Sequence, residues 1–216
     1  MAAVGALTTP GTTTPILVVD IGAGSTDACM CTAIGDTRAV HLAGAGDMVS
    51  ALIQSELGLA SFDEAEDIKK FRLAKVENLF QIRHEDGSTE FFSRPLPGKL
   101  FAKTVLLRNG ELMPLETGEP MEKIRQVRRT VKKRVIITNV LRALQKVAED
   151  GNIHSLSNVV LVGGSSLDLE LANMLTEELS HYGITAGKAQ VRGSEGPRNA
   201  VATGLLISSV QNGTLG

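Results

Sequence analysis

Aromatic residues are scarce in this chain: one tyrosine, six phenylalanines and no tryptophan among 216 residues. That excludes a surface on which the bases of a single strand would stack in succession. Cysteine is nearly absent as well, with Cys29 and Cys31 as the whole complement, so no disulfide framework is available. Neither sign of charge dominates. A formal net charge of -2 exerts no overall pull on nucleic acid or on an anionic membrane. No apolar run is long enough to span a bilayer, and no charged segment leads into a short apolar one as in a secretory signal. The expectation is a cytoplasmic protein with no membrane and no nucleic-acid partner. What is present is an ordinary globular composition, 43% apolar and 21% charged, in a length that suits one domain or two small ones.

The most informative stretch is Ile16 to Asp27 (Ile-Leu-Val-Val-Asp-Ile-Gly-Ala-Gly-Ser-Thr-Asp). Four apolar residues, Ile16 to Val19, fit a buried strand that ends at Asp20. Gly22 and Gly24 allow a sharp turn and close approach by a ligand. Ser25 and Thr26 add hydroxyls beside backbone N–H groups, a combination able to cradle an anion such as phosphate. A dinucleotide fingerprint would continue into a helix. Here residues 27–34 read as a second strand, Gly35-Asp36 as a turn, and Arg38 to Leu42 as a third strand. The glycine turn therefore sits in a hairpin, and a plain hairpin turn is the alternative to a phosphate loop. Cys29 and Cys31, two apart on a strand, point to one face. Core packing is expected of them, since a metal site needs more ligands than lie nearby.

Along the rest of the chain, residues 1–14 are small, polar and rich in Thr, Pro and Gly, and read as a linker. Gly44 and Gly46 are either packing glycines or a second loop facing phosphate, and a helix starts near Asp47. Ser61 and Glu64 form a capping-box pattern. The helix that follows carries Glu66 and Lys69, either on a solvated face or reaching a ribose or base. Residues 61–119 form a β-rich insert with two hairpins turning at Glu85 to Ser88 and at Asn109-Gly110. A long helix is expected from Pro120 to about Asp150. Its basic run, Arg125, Arg128, Arg129, Lys132, Lys133 and Arg134, reads as a solvated face, with room for one arginine to meet an acidic partner. Val159 to Val162 then repeats the apolar-strand pattern into Gly163-Gly164-Ser165-Ser166. A helix follows over 167–180, with Ser166 as a plausible cap. A short strand (187–192), a loop and a helix opened by Pro197 close the chain. The fold class is α/β, with a core over 15–60 and 120–212. In an open α/β sheet, ligands collect at the carboxyl ends of strands, so the two glycine turns can face one crevice.

These residues carry a family resemblance. Asp20-Ile21-Gly22-Ala23-Gly24-Ser25-Thr26-Asp27 resembles the second phosphate motif of the actin and heat-shock ATPase superfamily. Val160 to Ser166 is similar to its adenosine motif, and Gly196 to Gly204 to the segment behind the nucleotide. More specifically, His41 to Met48, Leu73 to Glu77, Ile82 to Gly87 and Arg192 to Asn199 resemble the large subunit of the diol and glycerol dehydratase-reactivating factors. The resemblance covers residues 8–208. It implies a ribonuclease H-like, actin-like ATPase half: a mixed five-stranded sheet with flanking helices and an inserted β-rich subdomain.

The same resemblance implies ATP or ADP with Mg2+, and a chaperone that rescues adenosylcobalamin-dependent dehydratases holding damaged cofactor. Gly22, Gly24, Ser25 and Thr26 would hold the β- and γ-phosphates, and Asp20 would orient a magnesium-bound or attacking water. Glu66 and Lys69 would contact the ribose or base. Gly163, Gly164 and Ser165 would back the adenosine, with Arg198 beside it. Catalysis of this kind is positioning and charge stabilisation. The family's first Asp-x-Gly phosphate motif does not precede Ile16. The chain is therefore expected to be the C-terminal half of the ATPase domain, with the N-terminal half and a small subunit as partners, and to be an ATPase only within the intact protein. A non-catalytic actin-like interaction module and half of a sugar-kinase-like phosphotransferase are the alternatives.

Overall fold

The computed structural model describes residues 2–6, 15–32, 36–189 and 196–211. They form two compact units, one made of residues 1–48 and 133–216 and the other of residues 49–132. The expected insert, 61–119, is shorter at both ends than the second unit.

The first unit is built on a five-stranded mixed sheet in the order β10-β9-β1-β2-β3. Strands β1 (Ile16–Ile21), β2 (Ser25–Cys31) and β3 (Thr37–Ala43) form the antiparallel meander that the turn signals predict. Strand β9 (Asn158–Val162) pairs parallel to β1, and β10 (Thr185–Lys188) parallel to β9. Strand β1 is apolar almost throughout because both its faces are covered. Ile16 and Val18 pack with Ala3, Ala6, Val162 and Ala200, while Leu17, Val19 and Ile21, on the opposite face, are buried too. Cys29 and Cys31 pack against the first of these clusters with their sulfurs 3.9 Å apart, as core packing requires.

Three local expectations are corrected in this unit. Ala2–Ala6 is a short helix, α1, with Ala3 and Ala6 buried, where a linker was expected. It rests on the closing helix α7 (Ala200–Gln211). Methyl side chains let two backbones approach, a signal that small-residue composition hides among linker features. On α7 the apolar residues Val201, Leu205, Leu206 and Val210 are exposed, and Ala200 and Gly204 are buried. Ser166 does not cap the helix α6 (Leu171–Ser180). Its hydroxyl donates to the Gly163 carbonyl, and Asp168 accepts the Glu170 and Leu171 N–H groups instead. The expected strand over 187–192 runs instead over Thr185–Lys188, and residues 190–192 and the loop residues 193–195 lie outside the described residues.

The second unit holds an antiparallel sheet in the order β6-β5-β4-β7-β8. The hairpin β5 (Gln81–His84) to β6 (Thr89–Phe91), and the hairpin β7 (Thr104–Arg108) to β8 (Glu111–Pro114), fall where expected. Asn109 and Gly110 both take positive φ, as a two-residue hairpin turn demands. Strand β4 (Arg72–Asn78), central in this sheet, was not foreseen. Its charged residues at Arg72, Lys75 and Glu77 mask the buried Leu73, Ala74 and Val76.

Helix α3 (Phe62–Lys70) is capped by Ser61, whose hydroxyl accepts from Asp63 and Glu64. Glu64 does not complete the box and accepts the Glu116 N–H. The long helix expected from Pro120 is three pieces. Helix α4 (Met121–Lys132) ends the second unit, and a π-helical turn (Lys133–Ile137) and helix α5 (Thr138–Val147) belong to the first. Helix α5 packs on β2 and β3.

Candidate functional site

The hairpin between β1 and β2 turns on Gly22, whose N–H donates to the Ser25 carbonyl at 3.0 Å. Ala23 and Gly24 are exposed, and their N–H groups make no hydrogen bond among the described residues. Two free donors on one exposed turn are the geometry that an anion-binding concavity needs. A second loop braces it. Gly44 and Asp47 donate to the Gly24 and Ala23 carbonyls at 2.8 Å each, and Gly46 to the Gly22 carbonyl at 3.3 Å. Gly44 and Gly46 therefore support the turn from behind. Thr26 is buried and its hydroxyl donates to the Gly44 carbonyl, so its side chain holds the turn rather than facing a ligand. Ser25 donates to Asp27 at 2.9 Å.

The buried Asn139 supports the site without belonging to any sequence motif. Its amide donates to the carbonyls of Ala43, at 3.0 Å, and Gly44, at 2.8 Å, and so anchors the bracing loop to α5. A lone Asn within a helical run carries no signal of this. The only available hint was an uncharged polar residue on the apolar face of a helix.

The second glycine turn meets the first because β1 and β9 are parallel neighbours, with Asp20 opposite Val162. Ser165 donates its hydroxyl to the Gly22 carbonyl at 2.8 Å. Gly163 has φ 88° and ψ 162°, a region essentially closed to other residues. A Cβ there would overlap Asp20 Oδ1 and lie 2.5 Å from the Ile21 carbonyl oxygen. Its N–H donates to the Pro197 carbonyl at 2.9 Å. A Cβ on Gly164 would lie 3.5 Å from Arg198 Nε, so Arg198 stands beside the turn. Asp20, Gly22, Gly24, Ser25, Gly163, Gly164, Ser165 and Arg198 are thus one cluster at the carboxyl ends of adjacent strands.

Asp20 is half-buried, and burial, then the neighbouring Asp27 carboxylate, hold its carboxyl above the usual range. Asp27 faces Asp20 across the hairpin and is 2.5 Å from His41 Nδ1. These three groups line a cavity of about 410 Å3 with Cys29, Ala3 and Val201. Burial and then the adjacent Cys31 push the Cys29 thiol up to about 11, so it stays protonated and unreactive at neutral pH. Among the described residues no group of three or more His, Cys, Asp or Glu side chains is placed to hold a metal ion. Asp20 offers a single carboxylate, which suits a magnesium ion that takes its other ligands from water and phosphate.

Glu66 and Lys69 lie in the second unit, on α3. They are not on a freely solvated face. Lys69 is buried, and its Nζ is 2.5 Å from Glu66 Oε2. Lys70 reaches Glu66 Oε1 at 2.7 Å and Ser50 donates to Oε2. Burial alone would raise the Glu66 carboxyl, but hydrogen bonds from Lys69, Lys70 and Ser50 outweigh it and lower it to about 2. The basic run on α4 is corrected in the same way. Arg128 and Lys132 are buried. Arg128 meets Glu85 at 2.5 Å and donates to the carbonyls of Ile68 and Phe71, and Lys132 donates to the Lys69 carbonyl at 3.0 Å. The arginine anticipated to find an acidic partner is Arg128.

A meander followed by parallel strands, with glycine turns clustered at the strand ends, defines one half of an actin-like ATPase fold. The solved structure of MreB5 of Spiroplasma citri bound to AMPPNP has this fold, with a TM-score of 0.56 at 19% identity over 98% of this chain and 59% of its own length. The chain belongs to the family of the diol dehydratase reactivase ATPase-like domain, whose model matches residues 1–209.

It is 56% identical over 207 residues to the diol dehydratase-reactivating factor large subunit of Klebsiella michiganensis, covering 96% of this chain and 34% of that protein. A solved glycerol dehydratase reactivase superposes with a TM-score of 0.89 at 56% identity, covering 98% of this chain and 35% of its own. The chain thus spans about a third of the length of the curated relatives it matches. No helix among the described residues is long and apolar enough to cross a membrane.

Proposed function

We propose that this chain is the nucleotide-binding half of the ATPase module in a dehydratase-reactivating chaperone. The observation that carries the reading is the exposed Ala23–Gly24 turn. It has two free N–H groups, lies next to Asp20, and is tied through Ser165 to the second glycine turn. The free N–H groups of Ala23 and Gly24 face the β- and γ-phosphates of ATP or ADP, on a turn that Gly22, Ser25 and Thr26 shape and hold. Gly163, Gly164 and Ser165 back the adenosine, and Arg198 lies along it. Glu66 and Lys69 are assigned to the ribose or base on the family resemblance. The Glu66 carboxylate, held ionised by Lys69, Lys70 and Ser50, retains lone pairs that can accept from a hydroxyl.

Bound magnesium would neutralise charge on the phosphate oxygens. Asp20 is the group that orients its water. The raised carboxyl of Asp20 fits such a role, because an adjacent cation favours its ionised form. Hydrolysis is assigned to the intact large subunit, where a first phosphate motif completes the surround.

The partners proposed for the whole protein are the remainder of the large subunit, a small subunit and an adenosylcobalamin-dependent diol or glycerol dehydratase, from which damaged cofactor is released. A cytoplasmic location agrees with the free thiols of Cys29 and Cys31. Calorimetric titration of ATP and ADP into the chain, with and without magnesium, tests the reading. Weak magnesium-dependent binding, lost in Asp20→Ala and in Gly164→Val, is expected. Absence of binding at millimolar nucleotide would overturn it.

A further inference from the structure

The second unit contains a cavity of about 680 Å3 between α4 and the turn after β5, within the range of small-molecule sites. Its charged lining comprises Arg83, Arg125 and Arg129 against Glu85, Asp86 and Glu122. Counted by number, the signs balance. Two of the acids are paired with arginines and the third is hydrogen-bonded within its own turn, while Arg83 and Arg129 have partners of their own. Glu85 is held by Arg128 at 2.5 Å, and Glu122 accepts from Arg83 at 3.0 Å. Asp86 accepts from the Ser88 N–H at 2.9 Å and from its hydroxyl at 2.6 Å.

Arg125 is half-buried and has no hydrogen bond or ion pair among the described residues. Its natural helical partner is Glu122, three residues before it. That carboxylate is drawn away by Arg83, which also binds Glu77 at 2.8 Å. Arg129 follows one turn later on the same face of α4, and like charges four apart on a helix repel. A guanidinium fork, a second arginine one turn on, and nearby Thr130 and Gln126 as neutral hydrogen-bonding groups match a compact oxyanion, which arginine binds through paired N–H donors.

We infer that this cavity is a second ligand site, centred on Arg125, for a phosphate or carboxylate group carried on a small molecule. It lies wholly within residues 83–130 and does not depend on the nucleotide reading.

The test follows the arginine Nε–H resonances of the full chain by NMR while inorganic phosphate and succinate are titrated separately at constant ionic strength. The expected result is a saturable shift at Arg125, at least twofold larger than at Arg94, an exposed arginine outside the cavity. The companion shift at Arg129 should be abolished by Arg125→Gln and weakened about tenfold in affinity by Arg125→Lys. The lysine variant keeps the charge and so remains informative if the glutamine variant misfolds. Response to phosphate alone assigns a tetrahedral group, and response to succinate alone a planar one. Either supports the site. Gly164→Val, directed at the nucleotide turn, should leave the Arg125 response unchanged. Linear shifts of equal size at Arg125 and Arg94, or an Arg129 response that survives Arg125→Gln, would overturn the proposal.

Discussion

The two units solve opposite problems. In the first, the candidate site is made largely from backbone: Ala23 and Gly24 present N–H groups, and Gly163 lies against Asp20 and Ile21 where a side chain would obstruct. In the second, long charged side chains run through the interior. Arg128, Lys132 and Lys69 are buried and satisfied by carbonyls and by Glu85 or Glu66. Close backbone approach needs small residues and rare dihedrals. Buried charge needs complete hydrogen bonding, since an unpaired ion in the interior costs several kcal/mol. The first kind of design leaves a mark in sequence as glycine. The second leaves charged residues that look like surface.

Removing the counter-ion of the second unit has the largest expected effect. Glu85→Ala strips the carboxylate from buried Arg128 and should destabilise the second unit by about 3–5 kcal/mol in urea unfolding. A loss below about 1 kcal/mol would mean that the carbonyls of Ile68 and Phe71 suffice. Next comes the backbone device of the first unit. Gly163→Ala combines a closed dihedral region with overlap on Asp20 and Ile21, and should lower stability by about 3 kcal/mol. Gly164→Ala, with only Arg198 nearby at 3.5 Å, should cost less than about 1 kcal/mol. Equal losses at the two glycines would refute the assignment of strain to Gly163.

Acid separates the units more finely. Glu66, lowered to about 2 in the folded chain, contributes stability that is complete above its unfolded value of about 4.5 and lost as pH falls through about 2. Glu66→Gln should therefore cost about 1 kcal/mol at pH 7, and the gap to the parent should close in acid. A gap that persists at pH 2 would place the effect in packing. Asp20 has the opposite sign. Its raised carboxyl contributes stability at low pH that is lost as pH rises through the folded value. Asp20→Asn should thus be slightly more stable than the parent at pH 7, by less than about 1 kcal/mol, and equal to it in acid. Thermal melts across pH 3–8 would show this, and a destabilised Asp20→Asn at pH 7 would contradict it.

The meander, both glycine turns and both insert hairpins were legible in sequence because each is signalled by neighbours in the chain. Alternation, apolar runs and turn residues such as Asn109-Gly110 act over a few positions. Strand β4, the helix at Ala2–Ala6 and the anchoring by Asn139 were not legible. Each acquires its role from a partner distant in sequence, Asn139 from carbonyls 95 and 96 residues away.

The amino-acid order by itself determined the two glycine turns and the family to which they belong. Local conformational rules dictate where glycine is required, so those positions declare themselves. Only the tertiary structure decided that Ser165 would reach Gly22, that Thr26 would turn inward, and that Arg128 would be buried while Arg125 faced an open cavity. Which charge on a helix finds a counter-ion depends on what the rest of the chain brings beside it, and periodicity along a single segment does not contain that information.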